Sequence, residues 1–261
     1  MKKVIALADN CIDVYPELHK FYLTGNSIDF ALNYRAHGGN VTVMTVLGND
    51  LFAEALESLL AYKDIPLKII ERINRPTAMA KMDLIDNDKV HLAFHGNAME
   101  EMHLDSHSLA ALSEYDIVYV ERWSKAHEFI AAIRKPDQTW IYDFSKRLDQ
   151  EINKLLLPYL DIAFFSYDHN DDWIRDYLKR AHEQGCGTVI AMLGPEGSLA
   201  YDGKEFFYEV AEKVPVVNTV GAGDSYISAF TYGISLGESI TECMARGKKT
   251  ATKIIQQFLP Y

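Results

Sequence analysis

Cysteine is scarce in this chain: Cys11, Cys186 and Cys243 stand far apart, the count is odd, and no C-x-x-C pair occurs. Neither a disulfide framework nor a cysteine-built zinc site is expected. Positive charge is also short, with 26 basic against 37 acidic residues and a formal net charge of -11. A surface this acidic repels phosphate backbones and anionic lipid, which argues against nucleic acid and membranes as partners. No apolar run approaches the ~18 residues of a membrane span. Lys2-Lys3 followed by residues 4–8 imitates a secretory leader, but five apolar residues fall short of the ~7–15 that such a segment needs. Asp9 ends the run, so a buried first strand and a cytoplasmic protein are the expectation. Repeats, low-complexity tracts and Pro/Gly/Ser linkers are missing, so residues 1–261 read as one domain. What is abundant is apolar: 48% of residues, ample for a core and incompatible with global disorder. Small-molecule chemistry becomes the leading class.

Short β-like runs alternate with helical patterns from end to end. Residues 4–8 read as a strand, 26–37 as a helix stopped by Gly38-Gly39, and 41–46 as a strand. Asp50 caps a helix whose apolar positions Leu51, Phe52, Ala55, Leu56, Leu59 and Leu60 follow the 3.6-residue period. Residues 117–120, 139–142, 162–165 and 188–193 are continuous apolar runs, as strands covered on both faces should be. Helices are expected over 125–135, 149–157 and 171–184, the last closed by Gly185, and over 223–236 and 238–257. This βαβα order predicts an α/β fold with a mostly parallel central sheet between helices. Residues 77–85 break the pattern by alternating with period two. The turn Asp86-Asn87-Asp88 and a second strand over 89–94 complete a hairpin. A two-stranded ribbon is marginal alone, so this insertion at about 77–94 reads as a small lid or a homodimer contact, in preference to an edge of the main sheet.

The most informative stretch is Asn218-Thr219-Val220-Gly221-Ala222-Gly223-Asp224-Ser225-Tyr226. A strand is expected to enter this small-residue turn and a helix carrying Ile227, Phe230 and Ile234 to leave it. Such a turn aims several backbone N–H groups at one spot, at the positive end of a helix dipole. Gly221, Ala222 and Gly223 let an anion approach closely. Asp224 either caps the helix or faces a hydroxyl that will attack a phosphoryl group. A dinucleotide fingerprint fits poorly, because Tyr226 stands at its third glycine position and the motif lies near the C-terminus. No G-x-x-x-x-G-K-[ST] occurs either.

Residues 218–225 closely resemble the C-terminal signature of the ribokinase-like (phosphofructokinase-B type) carbohydrate kinases, usually D-T-x-G-A-G-D-x-F/Y. Other segments resemble the family's motifs in order along essentially the whole chain. They are Asp9-Asn10-Cys11-Ile12-Asp13 for its first-strand motif, Gly25-Asn26 and Gly48-Asn49-Asp50 for its N-terminal signature, and Leu193-Gly194-Pro195-Glu196-Gly197 for its nucleotide turn. Within that family, residues 9–16 and Asp86-Asn87-Asp88 resemble the fructoselysine 6-kinase branch.

The resemblance implies a ribokinase-like fold, ATP and magnesium as cofactors, and a sugar or glycated amino acid as partner. Asp224 would be the catalytic base, with Gly221, Ala222 and Gly223 as the anion hole. The positive helix end is expected to lower the Asp224 pKa. Asp13, at the end of the first strand, would bind sugar hydroxyls together with Gly25, Asn26 and Asp29. Leu193, Gly194, Gly197, Ala251 and Lys253 would hold the nucleotide. An ordinary tight turn competes as the reading of Gly194 and Gly197, and a packed, solvated helix as that of Ala251 and Lys253. His91, His95 and His103 read as surface residues, and Trp123 as a core aromatic that could wall the pocket. Several positions depart from the family pattern. Thr24 replaces a glycine and Asp29 an asparagine, while Asn218 replaces the first acid, putting a monovalent-cation site in doubt. Ser166-Tyr167-Asp168-His169 matches neither end of the family's N-x-x-E magnesium motif, leaving Asp143, Asp168 and Asp171 as candidates to orient the metal's water. The reading is an ATP-dependent kinase of a ketose derivative, fructoselysine first. A fructokinase, another small-sugar kinase or a catalytically silent binding relative are the alternatives.

Overall fold

The protein is described here by a computed structural model of residues 2–85 and 87–261. Asp86, from the expected hairpin turn, lies outside the described residues. The chain runs β1 (Val4–Leu7), β2 (Cys11–Tyr15), β3 (Lys20–Thr24), α1 (Asn26–Ala36), β4 (Val41–Leu47), α2 (Leu51–Tyr62) and β5 (Leu67–Arg72). It continues through β6 (Met79–Ile85), β7 (Asp88–His95), α3 (Ser106–Leu112), β8 (Ile117–Glu121), α4 (Ile130–Ile133), β9 (Thr139–Asp143) and α5 (Glu151–Leu156). The last part is β10 (Ile162–Ser166), α6 (Asp172–Glu183), β11 (Thr188–Met192), β12 (Ser198–Tyr201), β13 (Phe206–Glu209), α7 (Ala222–Leu236) and α8 (Ile240–Ile254).

Among the described residues the main sheet has nine strands in the order β13-β12-β11-β10-β9-β8-β1-β4-β5. From β5 to β11 every pairing is parallel; β12 and β13 add an antiparallel edge. The period of two sorts β1 onto two cores. Val4 and Ala6 pack with Phe30, Tyr34, Leu56, Ile227 and Phe230 from α1, α2 and α7, while Ile5 and Leu7 join Leu112, Leu156, Ile174 and Leu178 from α3, α5 and α6. Both faces are therefore covered, which is why the strand sequences are apolar throughout. The α/β architecture expected from the sequence, a mostly parallel sheet between helices, is what the chain adopts.

A second sheet has the order β3-β2-β6-β7. The hairpin read from the sequence is β6–β7, closed by Ile85 opposite Asp88, but it is only half of this sheet. The other half comes from residues 11–24: β2 runs parallel to β6 and antiparallel to β3. Asp13 thus sits in the middle of β2, opposite Tyr22 and Ala80, and not at the end of the first strand. The chain leaves β1 through Ala8, at φ 119°, a conformation that the residue type does not announce.

Two further expectations are corrected. The helix over 125–135 is broken into short turns and the four-residue α4, because Lys125 adopts a left-handed φ of 51° and Phe129 a φ of -137°. No strand precedes Gly221; instead the Val217 and Asn218 amides donate to the Ile255 carbonyl at 2.7 and 3.3 Å. The end of α8 thereby holds the segment that a neighbouring strand was expected to hold.

Candidate active site

Parallel strands that all point one way gather their carboxyl ends along one edge, where open α/β sheets collect ligands. Here that edge gathers acids. Asp9 follows β1, Glu121 ends β8 and Asp143 ends β9. Asp224 enters from the first turn of α7, Asp29 from α1 and Asp13 from the second sheet. All but Asp224 have less than a tenth of their surface exposed. One oxygen each of Asp9, Asp29, Glu121 and Asp224 is buried without a hydrogen-bond partner.

Local chemistry explains how each element reaches this point. Gly25 has φ +123°, and a Cβ there would fall 2.6 Å from the Asp9 carbonyl oxygen, so only glycine lets α1 start against the β1–β2 bend. The Asp9 carboxylate then accepts the Asn26 amide at 3.2 Å, serving the exposed N–H end of α1 from outside the helix. The Asn26 side chain reaches the other way and donates to Asp143 at 3.4 Å. It bridges two strand ends, and its own side chain does not cap the helix. Thr24 donates its hydroxyl to Asp29 at 2.6 Å, a use for the threonine that replaces glycine.

Gly221 has φ +71° and its Cβ position lies 2.3 Å from Pro260 Cβ, so this turn also depends on glycine. Ala222 donates its amide to the Thr219 carbonyl at 3.3 Å; among the described residues no such bond occupies the Gly221 and Gly223 amides. Of the three residues expected to cradle an anion, Ala222 therefore already has its N–H engaged. Asn218 is fully buried, accepts the Val220 amide at 3.0 Å and donates to the Phe258 carbonyl at 3.0 Å. An aspartate has no proton for the second bond, which accounts for the amide at this position.

Electrostatics reverse one expectation. The Asp224 carboxyl is pushed up to about 7, first by burial and then by the Asp143 charge, with Lys89 opposing. The helix end was expected to lower it, and desolvation among acids from other elements outweighs that dipole. Burial also raises Asp13 to about 7, Asp9 to about 6 and Asp143 to about 6. It raises Asp29 and Glu121 well above the usual range, with Asp224 adding to Asp29 and Asp9 adding to Glu121.

The tip of the second sheet closes over this edge. Thr219 donates its hydroxyl to the Asp88 carboxylate and accepts the Lys89 amide at 3.1 Å. Lys89 brings the cation whose charge acts on Asp13, Asp143 and Asp224. Farther along β7, Phe94 packs against Trp123 with ring centroids 5.4 Å apart. Sequence reading missed Glu121 and Lys89, since a single charged residue at a strand end carries no local signal.

The nucleotide candidates of the 193–197 turn lie farther along the same carboxyl edge, after β11. Leu193 is buried, Gly194 opens a short 3-10 turn and Gly197 leads into β12. Glu196, from the same turn, accepts the Asn170 amide at 2.7 Å and lies 3.2 Å from His169 Nδ1. Ala251 is half-buried against the α1–α7 core, and Lys253 is exposed on α8. Asp171 caps α6 through the Ile174 amide at 2.9 Å, and Asp168 is exposed. His91, His95 and His103 are exposed. No group of three metal-ligating side chains occurs among the described residues. No helix among them is long and apolar enough to cross a membrane.

The chain is similar to known proteins over nearly its whole length. The sequence profile of the pfkB family carbohydrate kinases matches residues 16–260. The fructoselysine 6-kinases of Shigella flexneri and Escherichia coli are each 33% identical over 256 residues, covering 98% of this chain and 98% of theirs. The structure of Arabidopsis thaliana ribokinase complexed with ribose and ATP superimposes with a TM-score of 0.83 at 18% identity, covering 98% of this chain and 93% of that one.

Proposed function

The chain belongs to the pfkB family of carbohydrate kinases, and from that membership we propose that it transfers the γ-phosphoryl group of ATP to the 6-hydroxyl of fructoselysine. The observation that carries the reading is Asp224 in the first turn of α7, beside the free amides of the Gly221 turn and among the acids Asp13 and Asp29. Asp224 accepts the proton of the attacking hydroxyl. Its pKa of about 7 suits a general base at neutral pH, where protonation state and proton affinity are both favourable. The Gly221 and Gly223 amides stabilise charge on the transferring phosphoryl group. Asp13, Asn26 and Asp29 hold the sugar, while Leu193, Gly194, Gly197, Ala251 and Lys253 line the nucleotide.

Magnesium fits the donor set. Asp143, a buried carboxylate whose charge bears on Asp224, is the group that would hold the ion's water shell. Asp171 is committed to capping, which leaves it unsuited. When bound, the ion would neutralise phosphate charge.

Substrate choice follows from the surplus of acid. A neutral hexose gains little from Asp9, Asp13, Asp29 and Glu121, whereas the C1 secondary amine of fructoselysine is protonated at neutral pH. Its ammonium compensates charges that are otherwise buried at a cost. ADP release over a panel of sugars and glycated amino acids, with nicotinamide absorbance followed in parallel, tests the reading. Fastest turnover on fructoselysine is expected. Fastest turnover on fructose would assign a fructokinase, and binding without ADP release a silent relative.

The second sheet acts as the lid, with residues 77–94 as its moving part. Closure excludes water that would compete as phosphoryl acceptor. Thr219→Val removes both tip contacts while keeping the side-chain shape. Faster amide exchange over residues 88–95 and a raised sugar KM are expected. Unchanged exchange would mean that the sheet is static.

A further inference from the structure

Arg122 and Arg147 stand beside the acid edge and have no evident task. Arg122 immediately follows Glu121 at the end of β8 and is exposed; Arg147 lies four residues beyond Asp143, after β9, and is half-buried. The strands are neighbours, with Glu121 opposite Asp143, so the two arginines rise from adjacent strand ends. Among the described residues neither guanidinium makes a hydrogen bond, and neither lies within 4 Å of a carboxylate. The loop holding Arg147 is nonetheless fixed: the Ser145 amide donates to Asp143 at 2.7 Å and the Asn153 side chain donates to the Arg147 carbonyl at 2.7 Å.

Burial first, and then the Arg122 charge, act against the charge of Arg147 and outweigh Tyr142, Glu121 and Asp143, which favour it. Arg122 also lies over the Trp123 ring, 5.0 Å from its centroid, and Trp123 packs on Phe94 of the lid. Glu121, next to Arg122 in the chain, and Asp9 each leave one buried carboxyl oxygen without a hydrogen-bond partner, able to accept from an ammonium. Acids, an aromatic wall and paired guanidiniums suit a molecule with an inner ammonium, an apolar arm and an outer carboxylate.

We propose that Arg122 and Arg147 form the carboxylate subsite for the amino-acid portion of a glycated amino acid, whose aliphatic arm crosses Trp123 and Phe94. The inference rests on the reading of the substrate as an amine-bearing ketose, and it names the part of that substrate which no sugar-binding residue touches. Guanidiniums pair with carboxylates in a fixed, often bidentate geometry, so the subsite selects by shape as well as charge.

Calorimetric binding in the absence of ATP tests it. The probes are fructoselysine and fructosylcadaverine, which keeps both amines and lacks only the carboxylate. The native protein should bind fructoselysine about tenfold more tightly or better, as one charge-assisted contact allows. Arg122→Met and Arg147→Met should each shrink that ratio, and the double variant should bring it near one. Arg147→Lys should keep part of it, which separates lost charge from a disturbed fold. Equal affinities in the native protein, or a ratio untouched by both substitutions, would overturn the proposal. So would a weakened ATP affinity in Arg147→Met, because the arginines would then serve the nucleotide. Preferential binding without ADP release would instead defeat the kinase reading and leave the subsite standing.

Discussion

Asp224→Asn is expected to lower kcat by roughly 10²–10⁴, the usual worth of a positioned general base. ATP affinity should stay within a few-fold, because the proposed nucleotide residues lie in the turn between β11 and β12 and on α8. The pH profile gives a second, independent reading. Asp224 works as a base only when ionised, and its carboxyl is pushed up to about 7. The acidic limb of kcat/KM should therefore fall near pH 7, far above the ~4 of an unperturbed aspartate. Asp143, Asp9 and Asp29 face this group and act against its ionisation, while Lys89 favours it. Asp143→Asn should accordingly move the limb to lower pH, and Lys89→Met to higher pH. Wild-type turnover in Asp224→Asn would remove the base from the mechanism.

The ligand-free protein is expected to become more heat-stable as pH falls from 7.5 to 5.5. Asp9, Asp13, Asp143 and Asp224 titrate at about 6, 7, 6 and 7 in the folded state, and Asp29 and Glu121 higher than usual. In the unfolded chain these groups titrate near ~4. Between ~4 and ~7 the folded state thus binds more protons, and stability declines as pH rises through that window. A carboxyl that titrates one pH unit higher in the folded chain than in the unfolded one contributes about 1.4 kcal/mol, before screening and relaxation. A chain of this size gains ~2–4 °C in Tm per kcal/mol, so a rise of several degrees is expected. Carboxylates that hydrogen bonds hold below the usual range, such as Asp50 and Asp171, oppose the trend only at lower pH. Asp29→Asn should flatten the profile and raise Tm at pH 7.5. A Tm that falls steadily from pH 7.5 to 5.5 would show that the acids are not strained by burial.

The parts of the site that were legible in the sequence are those whose physics is local. Gly221 to Asp224 announced a turn at a helix N-terminus because small residues and an acid must sit together there. Asp50 and Asp171 announced helix starts, and both accept the amide three residues on. The second sheet was half legible. The β6–β7 hairpin shows period two, whereas β2 and β3 follow a bend at Ala8 whose positive φ no residue type signals. Thr219 was visible as part of a motif, but its bond to Asp88 spans 131 positions and depends on the tertiary fold. The Asp224 pKa was misjudged for the same reason. The helix end that favours its charge is local, while Asp9, Asp29 and Asp143 arrive from other elements.

Selection of an amine-bearing ketose by the acid-rich pocket is decided by kcat/KM for fructoselysine and for fructose, measured with the native protein and with Asp29→Asn. An ammonium about 4 Å from a carboxylate gains up to ~4 kcal/mol at an effective dielectric near 20, before desolvation is subtracted. A surplus of ~1.4 kcal/mol already gives tenfold discrimination. The native protein should therefore prefer fructoselysine at least about tenfold, and Asp29→Asn should narrow the preference by weakening the amine substrate. Equal use of both substrates, or a ratio untouched by Asp29→Asn, would contradict selection by charge.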